Sequence, residues 1–108
     1  MHPDVKALIT ALEEAAHLLQ KHGFQDWFSW LKADSISIQN SDFYGVEHLL
    51  SSFGGMGSFN DIVLSAHGKG EQPHLVLIAD NERLSVLQTE IYALAWQLAR
   101  EESSRVLF

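Results

Sequence analysis

Three of the chain's seven glycines fall within four residues, at Gly54, Gly55 and Gly57, inside the stretch Phe53-Gly54-Gly55-Met56-Gly57-Ser58-Phe59-Asn60-Asp61. Glycine loses the most conformational freedom on folding and tolerates positive φ, so a regular helix or strand does not run through such a cluster. The chain must turn a corner here. Helical spacing ends at Phe53, Gly54 stands where a left-handed cap belongs, and Met56 and Phe59 are the apolar plugs that seat the corner. Successive N–H groups of a glycine run can also form an anion-binding nest. No Lys-Ser or Lys-Thr follows and there is no G-x-G-x-x-G, so a structural corner is the simpler reading. Ser58 to Asp61 has the spacing of a capping box, with Asp in place of the usual Glu or Gln. Asn60-Asp61 also suits a turn whose side chains bond the adjacent backbone. Read as a ligand corner, Gly54, Gly55, Gly57, Ser58, Asn60 and Asp61 supply its polar groups.

On either side of the corner the spacing is mostly helical. Val5, Leu8, Ile9, Leu12, Ala16 and Leu19 recur at i, i+3, i+4 and predict a first helix from about Pro3 to His22, stopped by Gly23. Phe24, Trp27, Phe28 and Leu31 predict a second, with Trp30 beside the stripe. Past Lys32 the pattern blurs, and Ser35-Ile36-Ser37-Ile38 reads as a frayed continuation or a brief extended segment that buries both isoleucines. A third helix is expected from about Asp42, a good N-cap, to Phe53. Gly45 lies inside it and costs about 1 kcal/mol relative to Ala, which close approach of another backbone would explain. A last helix is expected from Asp80 or Asn81 to about Glu102, on Leu84, Leu87, Ile91, Leu94, Ala95 and Leu98.

Ile62-Val63-Leu64 and Leu75-Val76-Leu77-Ile78 are short apolar runs rich in β-branched residues, separated by the Gly-, Lys- and Pro-bearing stretch from Ser65 to His74. They predict a two-stranded hairpin lying on the helices, since two strands alone are marginal. The expected fold is therefore α+β and predominantly helical, about four helices with a short hairpin packed on them. One globular domain is expected over residues 1–102, with 103–108 as a tail. The expected core is Leu8, Leu12, Leu19, Trp27, Phe28, Leu31, Leu50, Phe53, Phe59, Ile62, Leu87, Ile91 and Leu98.

Composition narrows the function classes. Fourteen acidic residues against seven basic ones give a formal net charge of −7, which opposes binding to nucleic acid or to an anionic membrane and mildly favours a basic protein partner. There is no apolar run of about 18 residues and no visible signal peptide, so a cytoplasmic protein is expected. Cysteine is absent, which removes disulfides, thiolate metal sites and a thiol nucleophile. No metal and no cofactor is expected. His17 and His22 point to different helix faces, His67 and His74 flank the loop without a placed carboxylate pair, and the histidines read as solvent-facing. There is no G-x-S-x-G elbow. His48 precedes the corner by a turn or two and could approach Ser58 and Asp61; a place on the helix surface is the plainer reading.

The nonapeptide resembles the signature of a small, uncharacterised bacterial domain family with Gly-Gly-Met-Gly-Ser, an apolar residue and Asn-Asp, followed by a Leu- and Tyr-rich helix. Gly54 to Asp61 match it here, with Leu84, Leu87, Tyr92 and Leu94 behind them, and Trp27 and Asp42-Phe43-Tyr44-Gly45 also look like family positions. The resemblance implies no activity. By analogy of class, small acidic bacterial domains of this sort include immunity proteins. The function expected is a non-enzymatic protein-binding domain, an immunity-type inhibitor that occludes a basic toxin surface, with Trp30, Asp34, Asp42, Tyr44 and Glu47 at the contact. The alternative is a small enzyme or ligand-binding domain using the Gly54–Asp61 corner, and a third reading is an oligomerising module.

Overall fold

The computed structural model describes residues 3–40, 44–53, 59, 62–64 and 74–107, with side chains on the last helix described from 75 to 101. Among these residues the fold is all-α. The elements are α1 (Pro3–Lys21), α2 (Gln25–Gln39), α3 (Tyr44–Leu50) and α4 (His74–Leu107).

α1 forms as its spacing predicts and buries Leu8, Ala11, Leu12, Ala15, Ala16 and Leu19. It ends as Gly23 predicts. Gly23 has φ 85°, its N–H donates to Gln20 O, and the Phe24 N–H donates to Leu19 O. This pair of bonds satisfies carbonyls that the helix end would otherwise orphan. The reversal lays α2 back along α1, and Gln39 near the end of α2 donates to Glu13.

α1 packs on both α2 and α4, while α3 lies on α2 and closes against α4. α1 and α4 are antiparallel. Lys21 and His22 at the end of α1 meet Asp80 near the start of α4, and Glu14 meets Arg83 in a two-pronged ion pair. The core between the helices contains Leu8, Leu12, Leu19, Leu31, Phe59, Leu87, Ile91 and Leu98, all expected there. Trp27, Phe28, Leu50, Phe53 and Ile62, also expected inside, are only partly buried and pack against it.

Two expectations about secondary structure are corrected. The first concerns Ser35–Ile38, where the helical continuation is present as part of α2 and the extended alternative, with both isoleucines buried, is not. Leu31, Asp34, Ser35 and Ile38 form its buried stripe, whereas Ile36 is exposed. The alternation of Ser and Ile is incidental to a helical i, i+3, i+4, i+7 stripe.

The second is the hairpin. Leu75–Ile78 forms the first turns of α4, with Leu77 buried and Leu75 and Ile78 exposed. A four-residue apolar run does not distinguish strand from helix by period. Here the helical continuation wins, because Leu77, Leu84, Ile91 and Leu98 recur every seven residues on one buried face. Ile62–Leu64 has no regular structure and no strand beside it among the described residues. Its backbone is held by side chains of α4 instead. Asn81 accepts from the Leu64 N–H at 2.7 Å and donates to the Leu64 carbonyl at 3.0 Å. Gln88 donates to the carbonyls of Phe59 and Ile62 at 2.8 and 3.2 Å. Two amides two helical turns apart thus do what a partner strand would have done, pairing backbone groups that would be costly to bury unpaired.

Two helix limits also differ. α4 runs beyond Glu102, so the backbone of the expected tail is helical to Leu107. α3 stops at Leu50, and the chain reaches Phe53 through tighter turns in which Ser52 and Phe53 donate to Leu49 and Leu50.

Gly45 is buried where α3 crosses α2. A Cβ at this position would lie 2.8 Å from the Ser37 Cβ, 3.1 Å from Ile38 Cγ1 and 3.2 Å from the Asp34 carbonyl oxygen. The close approach expected of a glycine inside a helix is therefore present. Gly45→Ala should destabilise the protein by about 1–3 kcal/mol through overpacking, although alanine is the better helix former. Urea midpoints measure this, and an equal or higher midpoint for the variant would show that the helices can part without cost.

Candidate functional site

The close crossing at Gly45 brings His48, one turn further along α3, over Asp34 of α2. His48 Nδ1 lies 2.5 Å from Asp34 Oδ1. The Asp34 side chain is only 4% exposed, and Oδ2 is buried with no hydrogen-bond partner among the described residues. Burial pushes the Asp34 carboxyl above its ordinary value, and the hydrogen bond and positive charge of His48 pull part of the way back.

The carboxylate fixes one edge of the imidazole, and the aromatic rings fix its faces. The Trp30 ring stacks on His48 at 4.1 Å, and Tyr44, one turn before His48, stacks at 6.0 Å. Trp30 is 36% exposed and Tyr44 64% exposed, so Tyr44 is mostly presented to solvent and Trp30 in part. Trp30 also leans on Trp27, and the contacts run on through Phe59, Phe53 and Tyr92 to Trp96, with centroid separations of 4.9 to 6.2 Å. The result is a band of rings from α3, across α2 and the residues flanking the glycine stretch, to α4.

The residues picked from the sequence have separate fates. Trp30, Tyr44 and Glu47 share the exposed surface of α2 and α3. Asp34 faces inward and serves the surface only through His48. Asp42 lies outside the described residues, as do Gly54, Gly55, Gly57, Ser58, Asn60 and Asp61. His48 is not a bystander on the helix surface. The hydroxyls next to it in sequence, Ser51 and Ser52, donate to the His48 and Leu49 carbonyls. The signal for Asp34 was in the chain. It stands three residues after Leu31 and four before Ile38, on the inner stripe of a helix that continues past Lys32.

The reading of the histidines as solvent-facing fails also at His22, which is 1% exposed. Its Nε2 lies 2.8 Å from Asp80 Oδ2, and its Nδ1 is buried without a hydrogen-bond partner among the described residues. Hydrogen bonds from Lys21 first and His22 second hold the Asp80 carboxyl below its ordinary value. His17 is exposed, and the side chains of His67 and His74 lie outside the described residues. Among the described residues no three His, Asp or Glu side chains converge to hold a metal ion.

Beside the band, a groove of about 500 Å³ runs between the end of α3 and α4, lined by Leu50, Phe53, Ser85, Gln88, Thr89, Tyr92 and Trp96. The lining mixes apolar and aromatic side chains with the hydroxyls of Ser85, Thr89 and Tyr92 and the Gln88 amide.

Residues 20–71 match a domain of unknown function, DUF6966. The DUF6966 segment thus takes in the last turn of α1, all of α2 and α3, and the glycine stretch. It contains every member of the Asp34–His48–Trp30–Tyr44 cluster and leaves α4 outside. Neither the curated proteins nor the solved structures include a match to the chain.

The buried carboxyl gives a pH test. The folded protein holds the Asp34 proton more tightly than the unfolded chain does. The stability this group contributes is therefore fully present below the ordinary carboxyl value and is lost as pH rises through the raised one. Relative to Asp34→Asn, which keeps an acceptor for His48, the wild type should lose stability as pH rises from about 4 towards neutrality. Paired urea titrations across that range check this; a difference that does not change with pH would contradict it.

Proposed function

We propose that the chain is a non-enzymatic binding domain that recognises a basic protein surface through Trp30, Tyr44 and Glu47. The observation that carries the reading is the Trp30–His48–Tyr44 stack, oriented from below by the buried Asp34. Tyr and Trp are favoured interface anchors, and rings held before the partner arrives lose little freedom on binding. Asp26, one turn before Trp30, and Glu47, beside His48, are exposed carboxylates on the same two helices. With the net charge of −7 they favour a cationic partner.

In its finer form the proposal is an immunity-type inhibitor, acting in the cytoplasm, that covers the basic active surface of a toxin. No cofactor is needed for such a mechanism. Occlusion follows from burying rings against the partner while the acidic rim pairs with its cations. No helix among the described residues is long and apolar enough to cross a membrane.

A second reading, a small ligand-binding or catalytic domain, draws on the groove beside Phe53 and on the imidazole oriented by a carboxylate, an arrangement that hydrolytic enzymes use for a general base.

The test begins with capture from lysate on wild-type, Trp30→Ala and Asp26→Lys/Glu47→Lys baits, followed by titration with the purified partner. The expected partner is basic and is held by the wild type alone. Trp30→Ala should speed dissociation roughly 30-fold, the equivalent of a hot-spot loss of about 2 kcal/mol. The double reversal should slow association about tenfold at low salt and less at high salt. A partner whose association ignores both salt and the reversal, and whose dissociation ignores Trp30→Ala, would defeat the proposal.

A further inference from the structure

α4 has two apolar faces. One is the buried seam of Leu77, Leu84, Ile91 and Leu98. On the opposite side Leu75, Ile78, Val86, Tyr92 and Trp96 leave between 43 and 79% of their surface exposed. Taking roughly 150–250 Å² for each such side chain, the stripe exposes on the order of 500 Å² of apolar area, near the upper end of what a monomer normally shows. At 34 residues α4 is about 51 Å long by its rise per residue. It therefore spans the whole 52 Å length of the molecule, and the stripe is carried along much of it.

Two copies of the stripe laid antiparallel bring its two ends together. Around a point midway between Ser85 and Val86, Leu75 mirrors Trp96, Ile78 mirrors Ala93 and Glu82 mirrors Thr89. A second copy of α4 laid antiparallel across that point would seat its Leu75 and Ile78 against Trp96 and Tyr92, at the groove beside Phe53 and Leu50. The same contact would repeat by symmetry at the other end, with Val86 beside Ser85 of the second copy at the centre and the two copies of Val86 about 1.5 Å apart along the helices. A closed two-fold contact of this kind uses one patch on both subunits. The stripe's exposed area, on the order of 500 Å², is more than half of the roughly 800 Å² per partner of a stable interface, and the flanking Ser85, Thr89 and Ala93 add to it.

We propose that the chain forms an antiparallel homodimer through this outer face of α4. The face differs from the α2–α3 surface assigned to partner binding, so the two assignments stand or fall separately. The chain has no cysteine, which allows direct cross-linking tests. Sedimentation of the full chain should give twice the mass of one chain. Val86→Glu and Leu75→Glu, both at exposed positions, should sediment as monomers with unchanged helical content by circular dichroism, while Trp30→Ala should remain dimeric. Val86→Cys should form a disulfide with its counterpart under mild oxidation. Leu75→Cys should not, because two copies of position 75 would lie about 31 Å apart along the helices. A wild-type monomer at every concentration would overturn the proposal. So would folded glutamate variants that remain dimeric, or a Leu75→Cys chain that cross-links to itself.

Discussion

The surface of this protein depends on how closely α3 lies on α2. At Gly45 the two helices meet with no room for a side chain, and the Asp34 carbonyl oxygen lies where a Cβ would intrude. That approach covers the Asp34 carboxyl and brings His48 within bonding distance of it. A carboxylate lifted out of water this far keeps its charge at a cost, which the imidazole partly offsets. The imidazole in turn supplies the plate on which Trp30 and Tyr44 lie. One missing methyl group therefore sets the position of a buried acid, an oriented base and two exposed rings.

The rest of the molecule is organised by α4. Its inner face completes the hydrophobic core, and two of its amides, Asn81 and Gln88, hold the backbone of Phe59, Ile62 and Leu64. Phe59 is thereby pinned in the core with no exposed surface, between Trp27 and Phe53. The ring band joins the two parts: packing at Phe59 touches Trp27, which touches Trp30. The Trp30–Tyr44 surface and the residues that flank the glycine stretch are thus parts of one packed layer.

Period alone was enough for α1, for most of the core, and for the first half of α2, because a strong amphipathic stripe has few alternatives. It was not enough where an apolar run was short. Leu75–Ile78 carries the composition of a strand and takes the conformation of a helix, because Leu77 falls in step with Leu84, Ile91 and Leu98 and because Leu64 is satisfied by a side chain rather than a strand. Ser35–Ile38 alternates and is nonetheless helical. In both places the stripe of the longer helix overrides the local propensity of four residues.

For the site the division is similar. The sequence by itself determined which residues were available: an acidic surplus, a few aromatics suited to recognition, no thiol, and a glycine in a helix that asks for a close neighbour. Trp30, Tyr44 and Glu47 were legible as surface groups because they fall off the apolar stripes. Only the tertiary structure decided that His48 becomes the partner of the inward-facing Asp34 and that His22 is buried against Asp80. A titratable side chain is placed by the charge and the dielectric around it, and both are set by helices that meet across long separations in the sequence.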